Sequence, residues 1–515
     1  MLKVISIKNI KSLRNIEVKL KPITFLLGKN SSGKSSLLQS LLLIKQTMES
    51  RDMNTSIVPR GNYVDLGSFL DIVYGRDHHR TFSINLTFSP RETDKIIKLH
   101  LDKEIYDRYR FPYYRKMHRY RFLTDIRKLS TEISLNIEYS FNLMRRRIDL
   151  KELKFYTKNK NLLFIAEKIK DDPVLYNVTY FKETSNRTIN IIWKNVELKK
   201  FYLPRIYPYS IKKPKIIVVK GQKYKTYRTW MVRNAAMIIN SISDELEKEL
   251  YFFSDNLIHI DPIREKPKKT YIHTGEKKET VGLRREAAVD VLYAEKNIGD
   301  RWGDLWAQKN DKSVKPKIEE SEMIQNVMRW LKKLDMASDF DFPGLFGYAY
   351  LFMLRHPSLK IESNIADHGF GLSQVLPIIV QGFYSAQGSL LLLEQPEIHL
   401  HPKAQADLAE MIVEISNRNV NCIIETHSEH IIERLQLLVA RNPLLLKKIS
   451  ILLFQIKKDG TEISELKLSE NGKRINWPKD FADGFLNGGL YDAIELEKIN
   501  MLKRKEKYQE RLKKS

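Results

Sequence analysis

Cysteine occurs once in these 515 residues, at Cys422, so no disulfide can form within the chain. That rules out the cross-linked framework of small secreted domains and suits a reducing compartment. Cys422 lies in an apolar, strand-like run, where a small buried core residue is the expected role. Long apolar runs are missing too. Ser389-Leu390-Leu391-Leu392-Leu393 is the length of a strand and stops at Glu394, so no membrane span is expected. The start, Met1-Leu2-Lys3-Val4-Ile5-Ser6-Ile7, is too short and too charged for a secretory signal. A cytoplasmic location is the resulting expectation. Acidic residues are in deficit: 88 Lys and Arg against 63 Asp and Glu leave a formal net charge of +25. Such an excess points to nucleic acid, an acidic protein or another polyanion, with a basic surface serving only solubility as the plain alternative. No internal repeat and no long heptad array is present, so a long coiled-coil arm is not expected.

What the chain does have is a globular balance of 42% hydrophobic and 29% charged residues, over a length that holds two or more packed units or one elaborated domain. Short strands are expected at Leu2–Ile7, Ile16–Leu20 and Ile23–Leu27. The last runs into Gly28-Lys29-Asn30-Ser31-Ser32-Gly33-Lys34-Ser35, which fits G-x-x-x-x-G-K-[ST]. Beyond it, Ser36-Leu37-Leu38-Gln39-Ser40-Leu41-Leu42-Leu43-Ile44 has no breaker and predicts a helix. Strand, glycine loop and helix together are the context that this motif needs, and they outweigh a mere helix-capping turn. Loop amides and the positive helix end hold phosphate oxygens in such a loop, so Gly28, Asn30, Ser31, Ser32, Gly33, Lys34, Ser35 and Ser36 are candidate triphosphate contacts. Lys34 reaches the terminal phosphates and Ser35 ligates Mg²⁺.

Residues 50–75 are rich in turns. From Thr81 the pattern changes to period two, and similar strands at 131–139, 174–181 and 188–193 predict an antiparallel sheet flanking the nucleotide core. Between 105 and 122 aromatic residues alternate with basic ones. That stretch either stacks on bases while holding phosphates or packs its rings and solvates its charges. A second basic region spans 199–233, helices are expected at 234–255 and 320–335, and loops at 261–276. Residues 501–515 form a basic helix or tail.

Two further blocks repeat one layout. In Ser389-Leu390-Leu391-Leu392-Leu393-Glu394-Gln395-Pro396-Glu397-Ile398-His399-Leu400-His401-Pro402, an apolar strand ends in a carboxylate, where P-loop enzymes place the magnesium-side acid. In Asn421-Cys422-Ile423-Ile424-Glu425-Thr426-His427-Ser428-Glu429-His430, a strand again ends in a polar cluster. Strands that deliver polar residues to one crevice are the general α/β site geometry. A separate metal held by His399, His401, His427 and His430 is the weaker alternative.

With these residues in view, the chain resembles ABC-type ATPases of the RecF- and SMC-like kind. Within them it resembles stand-alone bacterial AAA-family ATPases with a DUF3696-type C-terminal segment, as found in anti-phage defence systems. The resemblance covers Met1 to about Gly75 and Asp261 to about Pro478; residues 80–250 are less characteristic. It implies that Glu394 is the Walker B acid holding Mg²⁺ through water, a place where Asp is commoner. Gln395 stands where relatives usually carry the catalytic Glu, so Gln395 or Glu397 would position the attacking water, and slow hydrolysis is expected because an amide is a poor proton acceptor. His427 matches the switch histidine that senses the γ-phosphate. His399-Leu400-His401-Pro402 resembles the loop that meets the other subunit. Gly369-Phe370-Gly371-Leu372-Ser373-Gln374 matches a departed signature motif in which Gly371 and Ser373 contact nucleotide, with two registers open.

The expected fold is therefore α/β: an ABC-type P-loop ATPase head with a large inserted α+β region and a flanking antiparallel sheet. Its expected parts are residues 1–80 and 351–455 for the ATPase core, 81–350 for the insertion and 456–515 for a C-terminal segment with a basic tail. The resemblance implies ATP and Mg²⁺ as cofactors and a head-to-tail homodimer or higher even-numbered oligomer clamped by ATP. It further implies a sensor or regulator of a separately encoded effector, a nuclease or toxin, in antiviral defence. A DNA-maintenance or repair ATPase that clamps DNA, and a non-hydrolysing assembly scaffold, are the alternatives. No Asp-x-Asp metal cluster follows His430, so no nuclease activity is expected of this chain; non-specific nucleic-acid contact is.

Overall fold

The computed structural model describes residues 1–52, 55–89, 132–157, 162–169, 175–184, 187–198, 216–219, 222–224, 229–262, 266–273, 287–296, 321–345, 348–359 and 361–478. The aromatic-basic run 105–122, most of the basic region 199–233 and the tail 501–515 lie outside them. Two compact units emerge. One gathers Met1–Leu20, Ser35–Leu257 and Ile456–Glu462; the other gathers Lys21–Lys34, Ile258–Gln455 and the described residues from Ile463 onward.

The first unit is built on a ten-stranded antiparallel sheet. Its strands are β1 (Leu2–Ile10), β2 (Leu13–Lys19), β4 (Phe82–Phe88), β5 (Ile133–Asn142), β6 (Arg147–Thr157), β7 (Leu162–Lys168), β8 (Leu175–Thr184), β9 (Arg187–Glu197), β10 (Ile216–Val219) and β11 (Gln222–Tyr224). They run in the order β11-β10-β9-β8-β7-β6-β5-β4-β1-β2. Strand β4 shows why. Phe82, Ile84, Leu86 and Phe88 are buried and alternate with half-buried Ser83, Asn85 and Thr87, the period of a sheet with one face in the core. The helix Thr229–Asn256 buries Ala235, Ala236, Ile239, Leu246 and Leu250. It sets Phe253 edge-to-face on Phe88, with ring centroids 6.0 Å apart. Each large side chain so buried contributes about 1.5–3 kcal/mol. The turn-rich segment after Ser50 is tied to the helix Lys34–Glu49 by the side chains of Gln46, Thr47 and Glu49. Gln46 donates to the Val58 carbonyl at 2.8 Å and accepts from the Tyr63 and Val64 amides at 2.9 and 3.0 Å.

The second unit holds a six-stranded sheet of β3 (Ile23–Gly28), β12 (Leu257–Ile260), β18 (Leu390–Glu394), β19 (Asn421–Glu425), β20 (Ile449–Lys457) and β21 (Gly460–Leu466). Their order is β12-β18-β19-β3-β20-β21. Strand β3, from the N-terminus, slots in parallel between β19 and β20, from the far end of the chain. All its residues are buried, as expected of a parallel strand covered on both faces. Two rows cross the sheet, Leu391, Cys422, Ile23 and Ile449 in one and Leu393, Ile424, Phe25 and Ile451 in the next. Both rows belong to one core with Ile379, Leu408, Ile412 and Leu435 of the helices Phe370–Tyr384, Pro402–Asn417 and Glu429–Arg441. Cys422 is buried there, and burial pushes its thiol up to about 12. Two small sheets complete the unit. Tyr271–Ile272 pairs with Ala349–Tyr350, so the stretch expected to be loops carries a short strand. Asp339–Asp341, Met353–Arg355 and Glu362–Asn364 form the other. The fold is the α/β class expected, a parallel-stranded P-loop unit and an antiparallel sheet. Among the described residues no helix is long and apolar enough to cross a membrane.

Candidate nucleotide site

Strand β3 delivers its C-terminal end directly into the glycine loop. Gly28 leaves the strand at φ 154°, where a Cβ would lie 2.5 Å from Ser32 Oγ and 2.6 Å from the Phe454 carbonyl oxygen. Only glycine fits both that backbone and that space. Ser31 and Gly33 follow in left-handed conformations, at φ 62° and 101°. Such curvature is what anion-binding nests are made from. Lys34 closes the loop. Its Nζ donates to the carbonyls of Gly28 at 2.8 Å and Lys29 at 2.9 Å, and stands 3.6 Å from Glu425 Oε1. The side chain is almost wholly buried, and burial lowers its pKa while Glu425 opposes the shift. A buried ammonium held by carbonyls is costly by itself, which marks a binding device rather than a stabilising one. Lys34 also opens the helix Lys34–Glu49, whose first turn contains Ser35 and Ser36 and no acidic residue. The positive helix end therefore faces no carboxylate of its own first turn.

The parallel register brings the polar strand ends to one edge. Glu394 is level with Glu425, and Glu425 with Leu26 beside the loop. Immediately after β18, Gln395 turns left-handed at φ 44° and donates its amide to the Glu425 carbonyl at 2.8 Å. That link locks the segment after β18 to the end of β19. Glu397 is buried, and its Oε1 accepts the His427 amide at 2.7 Å. His427 is half-buried, with its pKa lowered first by burial and then by the Lys34 charge, so the imidazole is neutral at physiological pH. Of the site residues expected from sequence, Gly28, Lys34, Glu394, Gln395, Glu397 and His427 thus cluster at neighbouring strand ends in the second unit.

The segment Gly369–Gln374, matched to the signature motif from sequence, lies at the start of a helix. Gly369 is the N-cap of Phe370–Tyr384, and both Gly369 and Phe370 are exposed. Ser373 is turned inward, donating its hydroxyl to the Phe370 carbonyl at 2.7 Å. Gly371 has a reason inside the subunit: a Cβ there would come 2.9 Å from the His399 carbonyl oxygen. His399 itself sits left-handed at φ 63°, with its ring edge-on to Phe370 at 4.8 Å. His401 caps the helix Pro402–Asn417. Among the described residues, the one group of histidine and carboxylate atoms close enough to share an ion is His259, Asp261 and Glu394, not the four histidines.

Two partners of this site were not assigned from sequence. Glu425, the counter-charge of Lys34, was legible only as the last residue of a strand. His259 on β12 approaches Glu394 Oε1 at 2.8 Å and Asp261 Oδ1 at 3.5 Å. Its signal was present: Leu257-Ile258-His259-Ile260-Asp261-Pro262 has the same strand-then-polar layout as β18 and β19.

A magnesium nucleotide fits these donors. The loop supplies a glycine-only backbone, a buried ammonium and a helix end with no acidic residue in its first turn, and Glu394 supplies a hard oxygen ligand of the kind Mg²⁺ takes.

Comparison with solved structures returns SMC head domains. One is the SMC head domain from Thermotoga maritima, 8% identical, with 91% of this chain and 99% of that chain covered at a TM-score of 0.35. A second is an SMC head bound to the C-winged helix domain of ScpA, 9% identical, with 91% and 98% covered at 0.37. A third is a Pyrococcus furiosus SMC head with an extended coiled coil bound to the C-terminal domain of ScpA, 12% identical, with 90% and 96% covered at 0.36. No curated protein matches. The profile of the AAA ATPase domain family matches residues 1–432, most of the chain. The chain belongs to the AAA ATPase domain family.

Proposed function

We propose that this chain binds Mg·ATP at the glycine loop, hydrolyses it slowly, and uses the nucleotide to close a head-to-tail pair of subunits. The observation that carries the reading is the buried Lys34 ammonium, held on the Gly28 and Lys29 carbonyls beside the polar ends of β18 and β19. In this reading the Lys34 ammonium and the loop amides bind the phosphates, while Ser35 and Glu394 hold the cation that ATP carries. The cation would supply charge neutralisation at the β- and γ-phosphates. Gln395 orients water, as a neutral amide can without accepting its proton. Glu397 holds the His427 backbone in place, and the neutral imidazole donates a hydrogen bond toward the terminal phosphate. The exposed start of Phe370–Tyr384, with Gly371 and Ser373 in its first turn, meets the nucleotide of the other subunit through the amides of its helix end.

Sedimentation of the protein with and without Mg·ATP tests this directly. The expected result is a nucleotide-dependent step from monomer to dimer, with slow phosphate release. ATP binding by calorimetry without any change in mass would remove the clamp and leave a simple nucleotide binder.

For the target of the clamp, the net charge of +25 favours nucleic acid, and so a DNA-maintenance ATPase. Regulation of a separately encoded nuclease or toxin in antiviral defence rests on the family resemblance alone. Fluorescence anisotropy with duplex and single-stranded oligonucleotides across a salt series distinguishes them. Steep loss of affinity with salt supports direct contact, whereas no binding at low salt assigns the charge elsewhere.

A further inference from the structure

We infer that His259 is a positioning residue for Glu394: it donates Nε2–H to the carboxylate and fixes the oxygen that faces the cation. The inference rests on the reading of Glu394 as the magnesium-side acid. Three observations carry it. First, His259 occupies an otherwise apolar strand, Leu257-Ile258-His259-Ile260, and its side chain is 3% exposed. A polar ring so placed needs a partner, and Glu394 Oε1 at 2.8 Å provides one, 135 residues along the chain and on the neighbouring strand. Second, an ionised carboxylate only accepts hydrogen bonds, so the short contact puts the ring proton on Nε2. Third, Nδ1 has no hydrogen-bond partner among the described residues. A histidine that ligates a metal through Nε2 normally donates its other N–H to a carboxylate or carbonyl. Without such a partner, ligation through Nε2 would leave a buried N–H unsatisfied. In the hydrogen-bonded tautomer the unpartnered Nδ1 carries no proton. His259 therefore acts on the cation through Glu394 and does not ligate it, although His259, Asp261 and Glu394 lie close enough to share an ion. Asp261, 3.5 Å from the same Nε2 and 42% exposed, is the weaker of the two acceptors.

The test compares His259→Gln with His259→Asn in the full-length chain. Glutamine can place an amide N–H near the position of Nε2, whereas asparagine places it near Nδ1. Binding of a fluorescent ATP analogue is measured in EDTA and then titrated with Mg²⁺. We expect both variants to bind the analogue in EDTA as the wild type does. His259→Asn should raise the Mg²⁺ concentration for half-saturation about tenfold, and His259→Gln should restore most of it. A purely structural role for a buried polar group predicts equal behaviour of the two variants, and that result overturns the inference, as does an unchanged Mg²⁺ dependence in both. Glu394→Gln is the control for the underlying reading: if it leaves the Mg²⁺ dependence intact, Glu394 is not the magnesium-side acid, whatever His259 does.

Discussion

Glu397 holds His427 by its backbone: Oε1 of the carboxylate accepts the histidine amide at 2.7 Å, across 30 residues of sequence. A group so engaged is oriented for positioning. The amide of glutamine retains an acceptor oxygen, so Glu397→Gln should keep the hydrogen bond and lower single-turnover hydrolysis by less than about tenfold, near 1.4 kcal/mol of barrier. Glu397→Ala removes the acceptor and should cost clearly more. Complete silence of Glu397→Gln, with nucleotide binding intact, would instead make this carboxylate the base.

In the proposed reading Gln395 orients the attacking water without taking its proton. Its amide is locked to the Glu425 carbonyl at 2.8 Å, so a substituted side chain inherits a fixed backbone. Gln395→Glu places a proton acceptor on that frame and should raise the hydrolysis rate on the order of tenfold. Rapid turnover by the wild type that survives Gln395→Ala would place the water-activating group elsewhere.

Lys34→Ala removes a buried charge from the carbonyls of Gly28 and Lys29. Hydrogen bonds to charged groups are worth roughly 1.5–3 kcal/mol, so ATP affinity should fall on the order of tenfold to 100-fold. Isothermal titration with Mg·ATP measures it, alongside circular dichroism to show that the variant is folded. Equal affinity in a folded variant removes Lys34 from the site.

Gly28→Ala tests the loop itself. The added methyl meets Ser32 Oγ at 2.5 Å and the Phe454 carbonyl at 2.6 Å, on a backbone at φ 154°. Strain of this kind costs about 1–3 kcal/mol. Scanning calorimetry should show a lowered melting temperature together with weakened ATP binding. A variant with wild-type stability and affinity would mean that the loop has another conformation available.

His427 provides the pH prediction. Burial first, and the Lys34 charge second, depress its pKa below the ordinary 6.5. The folded chain thus binds this proton less readily than the unfolded one, and the stability associated with it is present above 6.5 and lost as pH falls through the depressed folded value. An NMR titration of the His427 ring should give a midpoint below 6.5, and Lys34→Ala should move it partway back. A midpoint at or above 6.5 would mean that burial and the Lys34 charge do not depress this group.

Local chemistry can be read from the chain alone: a strand, Gly28 to Ser35 and a helix in immediate succession, and two apolar strands ending in Glu394 and Glu425. These are legible because strand period, glycine freedom and helix start signals act over a few residues. The antiparallel strands at 131–139, 174–181 and 188–193 were legible for the same reason and are found as β5, β8 and β9. Which of these ends share a site follows from long-range strand pairing. Strand β3 lies between β19 and β20, some 400 residues later in the chain, and its register alone sets Lys34 beside Glu425. Likewise Gln395 and Glu397 are tied to the segment Glu425–His427 by hydrogen bonds that no spacing encodes. His259 reads in sequence as one polar residue in an apolar strand. It gains a role because β12 is placed against β18, and sheet order is chosen by burial of the whole core and not by any local pattern.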